Sequence, residues 1–409
     1  MRIITTRRIS QIFFFALFVW FCVVATLGER WWQLRGWPIN WFLQLDPLSG
    51  LGLLLATHTI YAGLLWGVVT LVLTLFLGRV FCGWLCPFGA WQQFVGYLGK
   101  RGTTAARQIA RNRPHPGQAV KYWLLLVMLA AAAADLIHFL LRGVPHNRWL
   151  ATSLQTGLLD PIALMQRSVN LVLLPLADGP LEVLSAASHG YPGTALIGAL
   201  FLLFTLLCLR VPRFYCRFVC PTGALLGLFS RWSVWRIGKK ENRCADCRQC
   251  ERDCEGACAP AEAIRTSECV LCLNCLDPCR HDMLGYHTGP AADGESATPD
   301  ITRRQVLTSL TVGLAAVPML RLEGATAAAW NPAVIRPPGA LAEADFLARC
   351  IKCGQCMRIC PTHVIHPAGL QSGFEGLWAP MLDFRVGTSG CQYNCVACSH
   401  VCPTAALRP

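Results

Sequence analysis

The chain has 409 residues, 23 of them cysteine; 54% are hydrophobic, 14% are charged, and the net charge is +13. A soluble domain carries about 25% charged residues, which excludes an ordinary cytosolic enzyme, and the length excludes a short disulfide-stapled scaffold. What remains is a membrane protein that holds metal through thiolates, with its positive charge in cytoplasmic loops rather than on a nucleic-acid-binding face.

Four apolar runs, residues 12–27, 51–77, 122–141 and 194–209, approach the roughly 20 residues a membrane span needs. Residues 161–176 are apolar but interrupted by Gln166, Arg167 and Asn170, a pattern read as an interfacial amphipathic helix. Lys and Arg cluster at the N-terminus (Arg2, Arg7, Arg8), after the second run (Lys100, Arg101, Arg107, Arg111, Arg113, Lys121) and after the fourth (Arg210, Arg213, Arg217, Arg231, Arg236, Lys239, Lys240, Arg243). The opposite loops hold only Arg30, Arg35, Arg142, Arg148 and Arg167. This bias puts both ends of the four-span unit in the cytoplasm, with Trp31, Trp32, Trp37 and Trp41 as an outer aromatic belt.

The unit repeats internally. Asp46-Pro47 opens a short apolar segment and a span, which ends in Arg79, Cys82-x3-Cys86-Pro87-x-Gly89. Asp160-Pro161 opens the same series, which ends in Arg213, Cys216-x3-Cys220-Pro221-x-Gly223. Two similar two-helix halves would bring Cys82, Cys86, Cys216 and Cys220 together at the membrane edge. These four could hold a fifth cluster, act as redox dithiols, or bind copper, since soft thiolates suit Cu(I). A bare structural role is the remaining alternative, and Cys22 and Cys208, alone in apolar runs, read as packing residues.

Beyond residue 243 the metal motifs begin. Cys244, Cys247, Cys250 and Cys254, then Cys269, Cys272, Cys275 and Cys279, follow the C-x2-C-x2-C-x3-C spacing of bacterial [4Fe–4S] ferredoxins. In two-cluster ferredoxins the fourth cysteine of each run serves the other cluster. One set is therefore Cys244, Cys247, Cys250 and Cys279; the other is Cys269, Cys272, Cys275 and Cys254, with Cys258 as a competitor for the last place. A second doublet follows at the C-terminus. Cys350, Cys353 and Cys356 pair with Cys402, and Cys391, Cys395 and Cys398 pair with Cys360. Structural zinc is the bland alternative, but it favours separated C-x2-C pairs.

Between the doublets, Arg303-Arg304 precedes an uncharged stretch that runs to Arg321 and resembles a twin-arginine export signal, with a cleavage-like run of small residues at 324–329. Export would place the last doublet in the periplasm.

With these motifs together, the chain resembles the membrane ferredoxin-type quinol dehydrogenases: a NapH-like membrane subunit over residues 1–285, then the start of a NapG-like ferredoxin subunit over 300–409. NosR and CcoG proteins share the membrane motifs. The chain departs from NapG-type domains in stopping after its second C-terminal run, so a partner chain could complete that domain. The resemblance implies electron transfer from the quinone pool to a periplasmic reductase or cytochrome. The alternative it leaves is a maturation factor, such as a copper reductase or a NosR-like electron donor. Quinol oxidation needs ionisable groups, and intramembrane ones are functional candidates by default. Asp135, His138 and His58 are the candidates, Asp135 and His138 sharing a helix face. Asp46 and Asp160 read chiefly as helix caps.

The expected architecture is an all-α four-helix membrane unit of two repeats plus two small α+β ferredoxin-like 2[4Fe–4S] domains. Its boundaries are 1–235 for the membrane domain, 236–290 for the cytoplasmic ferredoxin, 291–330 for a linker with the signal and a short fifth span, and 331–409 for the periplasmic ferredoxin. The expected location is the bacterial inner membrane, multi-pass.

Overall fold

A computed structural model describes residues 3–25, 38–142, 157–181, 190–240, 247–279, 283–289, 291, 294–296, 301–327, 334–385 and 390–408. Cys244, the tryptophans Trp31, Trp32 and Trp37, the cations Arg2, Arg30, Arg35, Arg148 and Arg243, and residues 328–329 lie outside them.

The chain is helix-rich with few strands. Its main helices in chain order are α1 (Ile3–Val24), α2 (Pro47–Thr57), α3 (Trp66–Leu77), α4 (Pro87–Lys100), α5 (Val120–Ala132), α6 (Ala134–Arg142), α7 (Pro161–Ser168), α8 (Leu174–Leu181), α9 (Ala195–Arg210), α10 (Pro221–Ser230), α11 (Arg303–Ala327) and α12 (Glu343–Arg349). Among the described residues, α1 alone is long and apolar enough to cross a membrane unaided. The pair 105–132 and 134–141, bent by 52°, counts as a second if it forms one span. The other apolar runs are present as shorter pieces. The 51–77 run is two helices because His58 turns into the left-handed region (φ 52°) and caps α2. The 194–209 run is the 16-residue α9.

The 161–176 segment is helical as expected, but it is no surface helix: every residue of α7 is buried. The polar residues that suggested a solvated face are instead used in tertiary contacts, described below.

The chain divides into two compact units, 1–17 with 68–125 and 202–306, and 18–67 with 126–201 and 307–409. Every switch from one unit to the other falls inside a helix, in turn α1, α3, α5, α9 and α11. The first unit holds 24 of the 36 Lys and Arg against 12 of the 23 acidic residues, a net +12; the second holds 12 against 11, a net +1.

In the first unit, β1 (Trp235–Lys239) pairs antiparallel with β2 (Leu284–Thr288), Ile237 opposite Tyr286, and the two strands bracket the first pair of cysteine runs. Ile237, Ile264, Leu271, Leu273 and Leu284 form its core together with the cysteines. In the second unit, β3 (Ile365–Pro367) pairs antiparallel with β4 (Pro380–Leu382). Phe346, Met357, Val364 and Trp378 pack there around the last two runs.

Candidate electron-transfer centres

The repeated Cys-Pro motif is a helix start. Cys86 and Cys220 are the N-caps of α4 and α10; Pro87 and Pro221 take the first helical turn, where a missing N–H costs nothing. Each cap sulfur accepts a hydrogen bond from a backbone N–H two residues past the proline, Gly89 at 3.4 Å and Gly223 at 3.1 Å. The glycines also make room for the opposite repeat: a Cβ at Gly223 would lie 2.9 Å from Arg79 Nη2, and one at Gly89 would lie 3.6 Å from Arg213 Nη1. Each repeat's arginine thus lies over the other repeat's cysteine turn.

The four thiols converge. Burial raises the Cys220 thiol well above its usual value, and Cys216, Cys82 and Cys86 raise it further. Cys216 is pushed up to about 11 by burial, against the pull of Arg213. As bare thiols Cys216 and Cys220 are held in the protonated form, so a metal would have to displace their protons. The surroundings suit an anionic occupant. Arg79 is buried, reaches Cys82 Sγ at 3.8 Å and Ser267 O at 2.9 Å, and its Nε has no hydrogen-bond partner. A buried cation left short of partners is costly unless negative charge lies close. Four thiolates around an iron–sulfur cubane would supply it.

The first ferredoxin segment lies against these turns. Trp84 Nε1 donates to Leu271 O at 3.2 Å, and a Cβ at Gly83 would overlap the Val270 carbonyl oxygen. From the second repeat, Arg217 donates to the Glu255 and Cys254 carbonyls at 2.8 and 3.1 Å. Two buried carboxylates anchor the segment. Glu255 pairs with Arg7 at 3.0 Å and Arg213 at 2.8 Å; burial works against its ionisation, but the two arginines hold it down at about 2. Glu268 accepts from Lys121 and, at 2.8 Å, from the Tyr122 hydroxyl.

Within the segment Cys254, Cys269, Cys272 and Cys275 are neighbours: burial and then Cys272, Cys269, Cys254 and Cys250 raise the Cys275 thiol. Cys258 sits 3.4 Å from Cys254, sulfur to sulfur, and also hydrogen-bonds Cys269, so the structure keeps both candidates beside the same set. Cys247 is exposed and Cys279 half-buried.

In the second unit, Cys350, Cys353, Cys356 and Cys402 line one small cavity of about 20 Å³, walled by Phe346, Val401 and Leu407. These are the four cysteines that crossing between the runs predicts. The other four also adjoin: Cys398 is pushed up to about 12 by burial and then by Cys360, Cys395 and Cys391. Among the described residues no three His, Cys, Asp or Glu side chains gather around a single-ion position. In a cubane cluster each thiolate meets its own iron corner, so no shared single-ion position is required.

This domain rests on the two Asp-Pro helices. Arg167 donates to Lys352 O at 3.2 Å and lies 4.5 Å over the Trp378 ring. Asn170 donates to Gln355 Oε1 at 3.1 Å, and α12 packs on α2. Asp46 accepts from the N–H groups of Leu48 (3.1 Å) and Ser49 (2.9 Å); Asp160 accepts from those of Ile162 (3.0 Å) and Ala163 (2.7 Å). Both are caps, as read. Both are also fully buried and hydrogen-bonded to each other, and burial raises Asp46 above the usual carboxylate range. Such a pair shares a proton.

Of the proposed quinol residues, His58 and Asp135 meet: His58 Nε2 is 4.0 Å from Asp135 Oδ2, and Asp135 is fully buried. His138 has a buried Nδ1 with no hydrogen-bond partner. Glu255 and Glu268 went unnoticed in the sequence, and Arg217 was read only as one of the cytoplasmic cations. The one signal for them was charge at positions flanking the cysteines, which looks the same as a solvated loop.

A family model described as a 4Fe–4S binding domain matches residues 59–104 and 191–240, one stretch in each repeat; a 4Fe–4S dicluster domain matches 340–407. The ferredoxin-type protein NapH of Escherichia coli is 27% identical over 70% of this chain and 90% of its own. Protein NirI of Paracoccus denitrificans is 31% identical over 52% of this chain, and the regulatory protein NosR of Pseudomonas aeruginosa is 25% identical over 65%. The matched part is 26% of NirI and 33% of NosR. No solved structure matches. The chain thus carries 4Fe–4S binding domains and is similar to the ferredoxin-type 4Fe–4S electron-transport proteins.

Proposed function

We propose that this protein carries single electrons from the quinol pool of the inner membrane to a redox partner, a reductase or cytochrome, on the periplasmic side. The observation that carries the proposal is the cavity lined by Cys350, Cys353, Cys356 and Cys402. It supports a second cluster-binding domain, in addition to the one seated on the Cys-Pro turns. When bound, [4Fe–4S] clusters supply one-electron redox steps. Cys244, Cys247, Cys250 with Cys279, and Cys269, Cys272, Cys275 with Cys254, would hold two. Cys350, Cys353, Cys356 with Cys402, and Cys391, Cys395, Cys398 with Cys360, would hold two more. Cys82, Cys86, Cys216 and Cys220 would hold a fifth.

The charge division supports a cytoplasmic location for the first unit, since Lys and Arg are retained on that side. Thr302 and Gln305 form a reciprocal cap (Gln305 N to Thr302 Oγ1 3.3 Å, Thr302 N to Gln305 Oε1 3.0 Å), which sets the exposed pair Arg303-Arg304 at the start of α11. That placement suits a twin-arginine export signal ahead of the last domain. His58, Asp135 and His138 would handle protons at a quinol site. A maturation role is the second reading, and the four soft thiols of the Cys-Pro turns favour it, since they suit Cu(I) as well as iron.

The test is reduction of the purified, cluster-loaded chain by menaquinol, followed by visible absorbance. Bleaching by menaquinol supports the proposal; bleaching by dithionite alone refutes it. Copper rather than iron at the Cys-Pro set would favour the maturation role.

A further inference from the structure

A cavity of about 770 Å³ in the first unit is used by nothing described so far. It opens between the start of α1, the end of α4 and the ferredoxin segment, and its size falls in the range of small-molecule sites. Its inner wall is made of residues next in sequence to proposed cluster ligands: Asp253 and Glu255 flank Cys254, and Asn274 and Pro278 precede Cys275 and Cys279. Any redox molecule held there sits beside the first doublet.

The remaining wall selects the chemistry. Tyr97, 54% exposed, offers an aromatic ring, with the Arg101 guanidinium 5.6 Å from its centroid on one side. Arg8 and Arg101 are exposed cations at the mouth, and Gln93 has an amide there whose oxygen already accepts from Arg213 and Gln11. Arg8 and Arg101 thus offer hydrogen-bond donors for carbonyl oxygens beside an aromatic ring, while Asp253, Glu255 and Asp277 line the same cavity. On α4, Phe94, Tyr97 and Leu98 form one exposed apolar stripe at i, i+3 and i+4, which leads into the cavity at Tyr97. A flat dicarbonyl headgroup with a long apolar tail fits both features. A phospholipid would use the cations and the stripe, but it gains nothing from a wall built of cluster-flanking residues.

We infer that this cavity binds the headgroup of a quinone, with its tail along the Phe94–Leu98 stripe. The inference rests on the quinol-to-partner proposal. It adds a quinone-class site next to the first doublet, distinct from the His58–Asp135 pair.

The test uses the full cluster-loaded chain in lipid nanodiscs, photolabelled with an azido-naphthoquinone and mapped by peptide mass spectrometry. Label is expected on peptides containing residues 92–101, displaced by excess menaquinone. It should fall about tenfold in an Arg8→Ala/Tyr97→Ala variant, the size of one lost charge-assisted contact. Both side chains are exposed, so iron content should stay at the wild-type value and show that the variant is folded. Label only around His58 and Asp135, or label displaced by phosphatidylglycerol but not by menaquinone, overturns the inference while leaving the quinol proposal intact. Absence of specific label together with failure of menaquinol to reduce the wild type refutes both.

Discussion

Replacing Cys402 by alanine separates two ways of wiring the C-terminal doublet. If each run closed its own cluster, the run of Cys391, Cys395 and Cys398 would lose its fourth ligand. In the structure Cys402 instead lines the cavity of Cys350, Cys353 and Cys356, and the Cys398 thiol is surrounded by Cys360, Cys395 and Cys391. Cys402→Ala should therefore cost one cluster, about four iron atoms of about sixteen, or of about twenty if the Cys-Pro set also holds a cubane. Location matters more than the loss. Brief alkylation of the native protein, followed by peptide mass spectrometry, should newly label Cys350, Cys353 and Cys356 and leave Cys360, Cys391, Cys395 and Cys398 protected. Cys360→Ala should give the reverse pattern. New label on Cys391, Cys395 and Cys398 in Cys402→Ala would refute the crossed arrangement.

Three further outcomes are expected. Gly83→Ala forces a methyl group into the Val270 carbonyl, an overpacking cost of about 1–3 kcal/mol; faster hydrogen exchange over residues 266–272 should report it, and unchanged exchange would contradict the tight seat. Arg167→Ala removes the Trp378 stack and the bond to Lys352 O, about 2 kcal/mol in total. Limited proteolysis should then release the C-terminal domain, and Arg167→Lys should not restore it, because an ammonium cannot stack and fork as a guanidinium does; full rescue by lysine would count against the stack. Asp160→Ala leaves the Ile162 and Ala163 N–H groups without their acceptor, lowering stability by about 0.5–2 kcal/mol. Asp160→Asn should recover most of this in a thermal melt, and equal losses would mean that the shared proton with Asp46 matters more than the cap.

Much of the chemistry was visible in the sequence, because cysteine spacing and Asp-Pro or Cys-Pro pairs act locally. A cap needs only its own helix, so Asp46 and Asp160 could be placed from neighbouring residues. Contacts between distant segments could not be placed that way. Arg167 and Asn170 interrupt an apolar run just as a wetted face would, and only the position of residues 350–356 shows that they face protein. The 51–77 run read as one span because nothing in the composition marks His58 as a left-handed stop. The meeting of His58 with Asp135 depends on how α2 and α6 pack.

Each ferredoxin domain touches both halves of the duplication. The first takes Trp84 from one half and Arg217 from the other; the second takes α2 from one and Arg167 from the other. Each domain is thus a staple across an internal seam, and any cluster that stabilised either domain would also help to hold the duplicated helices together.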